Sequence, residues 1–389
     1  MQNFTYNTPT TVYFGKDTHL KVGEIVKNYG YKKVMIQFGQ GSVVKSGLLD
    51  IVVSLLEQNG ISVVLAGGVE PNPKLSFIRE AVKTAINEKV DLILAVGGGS
   101  SLDSSKFTAL GAYNNVDVWD IVMGKVVPKG AIAVGCILTI SAAGSEMSNS
   151  AVLTNTELNL KKGYSSEFNR CRFAICNPEL TYTVSKYQTA CGTSDIMSHT
   201  IERYFTLCDD VEITDGIAES LLRTVIKAGK IAVENPTDYE ARANLMWASS
   251  LSHNGLTGCG RENYLAVHQI EHALSGEYDH VAHGAGLALL FPAWAKYVYK
   301  YNLPRFSKFF RNVWGIEEKD DDIACQKGIE VMKNYFKSIG MPTTLGELNV
   351  PESSIERIAD LCTYGKTREV KNYIPLGYQE VVDILKLCI

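Results

Sequence analysis

Two stretches in the second half of the chain carry residues that could hold a metal ion. Seven histidines occur in 389 residues, and five of them fall between His253 and His283. GTSDIMSHTIERYF (192–205) sets Asp195 and His199 four apart, so on a helix both side chains share a face, one turn apart. AVHQIEHALSG (266–276) does the same for His268 and His272, and His280 and His283 follow closely. One carboxylate with three imidazoles makes a mixed oxygen and nitrogen site suited to Zn²⁺ or Fe²⁺. Such an ion is a Lewis acid for a substrate oxygen, provided coordination expands to five. A single histidine in a helix is more often a hydrogen-bonded core or surface residue. The two four-residue pairs in one helical region favour the metal. Spacing alone does not choose among His268, His272, His280 and His283.

A second group points to a phosphorylated ligand. The apolar run DLILAV leads into GGGSSLDSSK (97–106), where glycines admit a phosphate close to the backbone. Ser100 or Ser101 is expected to cap the helix that follows, whose first amides favour an anion. LTISAAGSEMS (138–148) is a second Gly/Ser loop after an apolar strand. Neither is the G-x-G-x-x-G fingerprint, and each alone is equally a tight turn. Together, at strand ends of one open sheet, they fit a crevice for a nucleotide. The turn FGQGSVVK (38–45) holds Gly39, Gly41, Ser42 and Lys45 but no acid to grip a ribose 2′-hydroxyl. That leaves room for a 2′-phosphate and favours NADP(H), with NAD(H) as the alternative.

The elements that must position these residues read in two blocks. KKVMIQF (32–38), ISVVLAG (61–67), VDLILAVGG (90–98) and AIAVGCILT (131–139) read as strands, with helices over 43–58 and 74–88. This alternation implies a parallel, Rossmann-like sheet covered on both faces. From about residue 185 the periods are helical. The expected plan is an α/β nucleotide-binding domain of residues 1–184 and an all-helical metal-binding domain of 185–389, joined at 177–188. The β-prone opening FTYNTPTTVYFG (4–15) is expected to form an edge hairpin or to pair with another subunit.

Bulk composition narrows the partners. Net charge is −4 and aromatics are 9%, so neither nucleic acid nor an anionic membrane surface is favoured. No apolar run reaches the ~20 residues of a membrane helix, and no secretory signal opens the chain. Nine scattered cysteines without a C-x-x-C spacing read as reduced thiols of a cytoplasmic protein.

Taken together, GGGSSLDSSK, ISAAGSEMSNSAVLTN, the D-x-x-x-H of GTSDIMSHTIE, HQIEHALSGEYDHVAHGAGLALLFPAW and TPTTVYFG resemble the iron-containing (group III) alcohol dehydrogenases. The NADPH-dependent butanol dehydrogenase branch is the most similar in pattern. The resemblance implies the dehydroquinate synthase-like fold of that family. It implies Asp195, His199, His268 and His283 as metal ligands, with His280 a rival to His283. His272 then lies near the nicotinamide and substrate, as a group for proton transfer or positioning. The same matching puts Gly98, Gly99, Ser100 and Asp103 at the pyrophosphate and nicotinamide end. Thr139 and Ser141 fall along the cofactor, Asn72 near it, and Gly39, Gly41 and Ser42 near the adenosine phosphate. Asn155 follows the second loop, and Lys161, beside Lys162, resembles a cofactor-contacting lysine. The implied activity is hydride transfer between NADP(H) and short primary alcohols or aldehydes, butanol and butanal among them; a homodimer joined through the β-prone 4–15 segment is expected from that run itself. A polyol dehydrogenase or a dehydroquinate-synthase-like lyase on the same plan is the alternative. The lyase would need several Lys or Arg near the metal, where Arg203 and Arg261 are the nearest in sequence.

Overall fold

A computed structural model describes residues 1–158, 160–208 and 210–389, and its contacts divide the chain into two compact units. One unit spans residues 7–183, and the other combines residues 1–6 with 184–389. The opening residues therefore pack with the helical part. The Gln2 N–H donates to the Gly260 carbonyl at 2.8 Å.

The 7–183 unit is built on a six-stranded parallel sheet, ordered β1-β8-β5-β4-β2-β3. Its strands are β1 (Thr11–Phe14), β2 (Lys33–Gly39), β3 (Ser62–Val69), β4 (Leu92–Gly97), β5 (Ala133–Leu138) and β8 (Phe173–Cys176). β6 (Ser150–Asn155) and β7 (Leu160–Ser165) form a separate antiparallel hairpin. The helices are α1 (Val22–Asn28), α2 (Ser42–Lys45), α3 (Leu48–Gln58), α4 (Leu75–Glu88), α5 (Gly99–Asn114) and α6 (Val118–Val122). All six residues of β4 are buried, as expected for a strand covered on both faces.

Two expectations change here, and one element is added. The single helix expected over 43–58 is two, because Gly47 adopts φ 75 between α2 and α3. The 4–15 segment makes no hairpin: only β1 forms, parallel to β8 of its own chain. The β6–β7 hairpin is additional to the expected strands, since LKKGYS carries no buried apolar residue to mark one.

Chain order runs from β2 outward to β3, then returns to β4 on the other side of β2. The loops that follow β2 and β4 thus leave the sheet where the direction of winding reverses. That is where open α/β sheets bind ligands.

The other unit is helical: α7 (Lys186–Tyr204), α8 (Glu212–Glu234), α9 (Tyr239–His253), α10 (Ala266–Glu277), α11 (His283–Val298), α12 (Leu303–Trp314), α13 (Asp321–Ser338), α14 (Ile355–Cys362) and α15 (Tyr378–Lys386). Ser185 caps α7, its Oγ accepting the Gln188 N–H at 3.2 Å. Nearly every residue of α7 is buried, so the helix runs through the centre of the unit. Phe205, just past its end, stacks on Phe306 at 4.1 Å between ring centroids and meets Trp294 edge-on at 5.6 Å. Each such buried ring contributes ~1.5–3 kcal/mol, which fixes α7 against α11 and α12. Gly284, next to His283, brings α11 backbone-to-backbone onto α7. A Cβ built there would lie 2.1 Å from the Cys191 carbonyl oxygen. Among the described residues no helix is long and apolar enough to cross a membrane.

Candidate active site

Asp195 and His199 lie one turn apart on α7, and the His199 Nδ1 is 3.3 Å from the Asp195 Oδ1. The Nε2 of His268, from α10, is 3.7 Å from the same oxygen, and the Nε2 of His283, first residue of α11, is 3.9 Å away. These separations are too long for good hydrogen bonds. They suit ligands grouped around an ion. Asp195 Oδ1, His199 Nδ1 and His268 Nε2 are buried and have no hydrogen-bond partner. A buried polar atom left unpaired costs ~1–3 kcal/mol. Three such atoms converging on one point fit a divalent cation, and the donor set is one such an ion accepts.

The electrostatics agree. Burial, with His253, His268 and Arg203 nearby, holds His199 well below its ordinary value and so neutral. Burial opposes the charged form of His268 as well, but Glu202 and Asp195 outweigh it and raise the imidazole to about 9.

The other histidines separate clearly. His280 Nε2 lies 3.0 Å from the Leu348 carbonyl, and its ring packs edge-on to Tyr278 at 5.8 Å. It stands apart from the Asp195 group. The ring of His272 is 5.4 Å from that of His283 and 6.4 Å from that of His268, at the edge of the cluster. His253, the last residue of α9, lies edge-on to His199 at 3.9 Å, with Arg203 3.2 Å from its Nδ1. Arg203 also donates to the carbonyls of His199 at 2.7 Å and Ser252 at 3.1 Å. Arg261 is spent on Asp215 at 2.6 Å and on the carbonyls of Arg203 and Tyr204.

Two buried carboxylates outside the expected site set stand behind these histidines. The Glu202 Oε2 meets His268 Nδ1, and the Glu271 Oε2 meets His283 Nδ1. The signal was present: HTIE (199–202) and HQIE (268–271) each put a Glu three residues after a candidate ligand.

In the α/β unit, the loops after β2, β4 and β5 leave the same edge of three adjacent parallel strands. After β4, Gly98 rather than Ser100 or Ser101 occupies the N-cap of α5, extended at φ −100, with no side chain capping the helix. The two serines lie within the first turn, so the first amides carry no side-chain cap. Both flanking glycines are needed here. A Cβ on Gly98 would lie 2.4 Å from Ile140, and Gly97 adopts φ 155. Ser141 Oγ, from the neighbouring loop, is buried with no hydrogen-bond partner, and the Thr139 N–H donates to the Gly97 carbonyl at 3.0 Å. An uncapped helix start beside an unpaired hydroxyl fits a phosphate.

After β2, Gly39 sits at a shift in strand register, and Gly41 precedes Ser42 at the start of α2. Asp103 is occupied internally. It accepts from Ser145 Oγ at 2.7 Å and the Val152 N–H at 2.8 Å, tying α5 to the loop and to β6. Burial raises its carboxyl, and Lys106, Ser145 and Val152 offset part of the rise. Lys106, fully buried, donates to the carbonyls of Ser145, Ser148 and Ser150 at 2.7, 3.1 and 2.8 Å. Of the two adjacent lysines on β7, Lys161 is the one whose charge acts on Asp103, whereas Lys162 Nζ lies 3.8 Å from the Met123 sulfur. Asn72 adopts a left-handed φ of 53, and Asn155 is buried, its Oδ1 accepting the Glu157 N–H at 3.0 Å.

Comparison with known proteins decides the family. The model described as iron-containing alcohol dehydrogenase matches residues 9–178, and that of the Fe-containing alcohol dehydrogenase family, C-terminal, matches 189–389. The chain belongs to the iron-containing alcohol dehydrogenase family. It is 41% identical to NADH-dependent butanol dehydrogenase A of Clostridium acetobutylicum, over 99% of each chain. It is 36% identical to the NADPH-dependent aldehyde reductase YqhD of Escherichia coli, over 96% of each. The crystal structure of NADH-dependent butanol dehydrogenase A from Thermotoga maritima superposes with a TM-score of 0.96 at 41% identity, covering 100% of this chain and 99% of that one. The protein is accordingly an oxidoreductase of the alcohol dehydrogenase and aldehyde reductase kind, using a nicotinamide cofactor and a metal.

Proposed function

We propose that this iron-type dehydrogenase interconverts short-chain aldehydes and primary alcohols, butanal and butanol among them. NADP(H) is its preferred cofactor, and Fe²⁺ or Zn²⁺ is held by Asp195, His199, His268 and His283. The observation that carries the metal reading is the convergence of three unpaired buried atoms on one point, with His283 Nε2 beside them. When bound, the ion supplies Lewis acidity to the substrate oxygen and the nicotinamide supplies or takes the hydride.

The chain's own residues do the rest. Asp195 and the imidazoles offer one carboxylate oxygen and three ring nitrogens, and burial excludes water from most of their surface. His272, flanking His283, is a candidate to move a proton or to position the ring. Gly98, Gly99, Ser100, Thr139 and Ser141 would bind the pyrophosphate through backbone and hydroxyl groups. Asp103 would act by holding that loop against α5. Asn72, Asn155 and Lys161 complete the cofactor set as further expected contacts.

A small, rather apolar substrate is supported by the fate of the nearest cations. Arg203 and Arg261 are buried and donate to groups inside the protein. A lyase acting on a phosphorylated sugar acid would need them free.

Preference for NADP(H) is supported by Gly39, Gln40, Gly41, Ser42 and Lys45, a turn without an acid. The names of the similar enzymes divide between NADH and NADPH, so both cofactors belong in the test. Protein loaded with Fe²⁺ or Zn²⁺ is mixed with butanal and NADPH, then with NADH, and nicotinamide absorbance is followed. Metal-dependent oxidation with the higher kcat/KM for NADPH is expected. No turnover across a panel of short aldehydes would refute the substrate reading, and a higher value for NADH would refute the cofactor preference.

The nine free cysteines suit a reducing cytoplasm. A homodimer is the expected assembly, with sedimentation at the mass of two chains as its check.

A further inference from the structure

We infer that Glu202 and Glu271 are positioning residues of the metal centre, each presenting to the ion a histidine from the next helix. This rests on the reading of Asp195, His199, His268 and His283 as ligands. The two glutamates occupy equivalent places in HTIE and HQIE, three residues after a ligand and so on the same helical face. Glu202 of α7 reaches His268 of α10, and Glu271 of α10 reaches His283 of α11. Support thus passes from α7 to α10 to α11, and three helices are locked into one ligand geometry.

The chemistry requires such partners. An imidazole that gives Nε2 to a metal carries its proton on Nδ1. A carboxylate accepting that proton fixes the tautomer, turns the ring and raises the donor strength of Nε2. In both histidines it is Nδ1 that faces the carboxylate and Nε2 that faces Asp195.

The carboxylates are themselves held. Glu202 is 3% exposed, and its second oxygen accepts the Val267 N–H at 2.5 Å. Glu271 is fully buried and wedged against α11, where a Cβ on Gly286 would lie 2.9 Å from its Cγ. Burying an anion costs several kcal/mol unless charge compensates it. Here the compensating charge is the ion, relayed through an imidazole.

One competing arrangement exists. Glu271, His272 and His283 offer ligand atoms within 4.8 Å of one another and could form a second ion site. In that case Glu271 would bind metal directly.

The test is Co²⁺ and Zn²⁺ titration of the metal-free full chain against a chelator, with the cobalt visible spectrum recorded. Wild type should bind one ion. Glu271→Ala should bind it ~10–100-fold more weakly, with a shifted cobalt band. Glu271→Gln and Glu202→Gln keep size and an acceptor oxygen, so they remain informative if the alanine variant misfolds. They should fall between, with a cobalt band shifted less than in the alanine variant. His272→Ala should keep one ion at wild-type affinity. Metal affinity within twofold of wild type in both Glu271 variants overturns the inference. So does uptake of two ions by wild type with loss of one in Glu271→Gln. No ion in wild type overturns instead the four-ligand reading beneath it.

Discussion

Gly284→Ala tests whether the seating of α11 on α7 sets the metal geometry. The added Cβ would lie 2.1 Å from the Cys191 carbonyl oxygen, 2.6 Å from its carbonyl carbon and 2.7 Å from its Cα. All three are backbone atoms, so no side chain can swing aside. Restoring an ordinary 3.4 Å contact to the oxygen moves the start of α11 by 3.4 − 2.1 = 1.3 Å. His283 is the adjacent residue and moves with it. Metal–ligand distances tolerate only about 0.2 Å. Overpacking of this kind costs ~1–3 kcal/mol, against a helix-propensity gain of at most ~1 kcal/mol for alanine over glycine. The expected result is a metal-free protein destabilised by ~1–2 kcal/mol and metal affinity reduced more than tenfold. Thermal melting with and without Zn²⁺, plus chelator competition, reads both. Gly276→Ala is the control. Gly276 lies in α10 with nothing within 4 Å of a Cβ, so alanine there should be neutral or stabilising by ~0.4–1 kcal/mol. Wild-type metal affinity in Gly284→Ala would refute the argument.

Three further outcomes follow from other parts of the structure. Asp215→Asn leaves Arg261 and Arg305 buried without their anion, and urea unfolding should show a loss of ~3–5 kcal/mol. Burial pulls the Asp215 carboxyl upward, but Arg305 and Arg261 outweigh it and hold the group below its ordinary 3.8. Its stabilisation is therefore complete above that value and is lost as pH falls through the lower folded one, which acid unfolding of wild type and variant would show. His268 behaves oppositely in the metal-free chain. Its folded value of about 9 exceeds the ordinary 6.5, so its contribution is full below 6.5 and fades as pH rises through about 9. The ion must displace that proton, so apparent metal affinity should climb over the same window, as titration at stepped pH would record. Gln40→Asp places an anion in the turn after β2, where it repels a 2′-phosphate and can accept from a ribose hydroxyl. The ratio of kcat/KM for NADPH over NADH should fall at least ~10-fold, and an unchanged ratio would place the 2′-phosphate elsewhere.

The sequence was most legible where chemistry depends on local spacing. Asp195 and His199 meet on α7 because four residues make one turn, and the parallel sheet follows from apolar runs buried on both faces. Choices that depend on packing at long range were not legible. His280 is held by Leu348, 68 residues further on, and nothing near His280 signals that partner. His268 rather than His272 turns its nitrogen to Asp195 because Glu202 of another helix holds its far side. Glu271 was readable by spacing from His268, yet the residue it serves is His283. Ser100 or Ser101 was expected as the cap, but the strand end at Gly97, in a φ open chiefly to glycine, puts the N-cap at Gly98, two residues before the first of them.

Metal content per chain, compared between His283→Ala and His280→Ala after loading with Zn²⁺ and gel filtration, addresses the central claim most directly. One ion per chain in wild type and His280→Ala, with loss in His283→Ala, is the predicted result. Retention in His283→Ala with loss in His280→Ala would contradict the four-ligand centre.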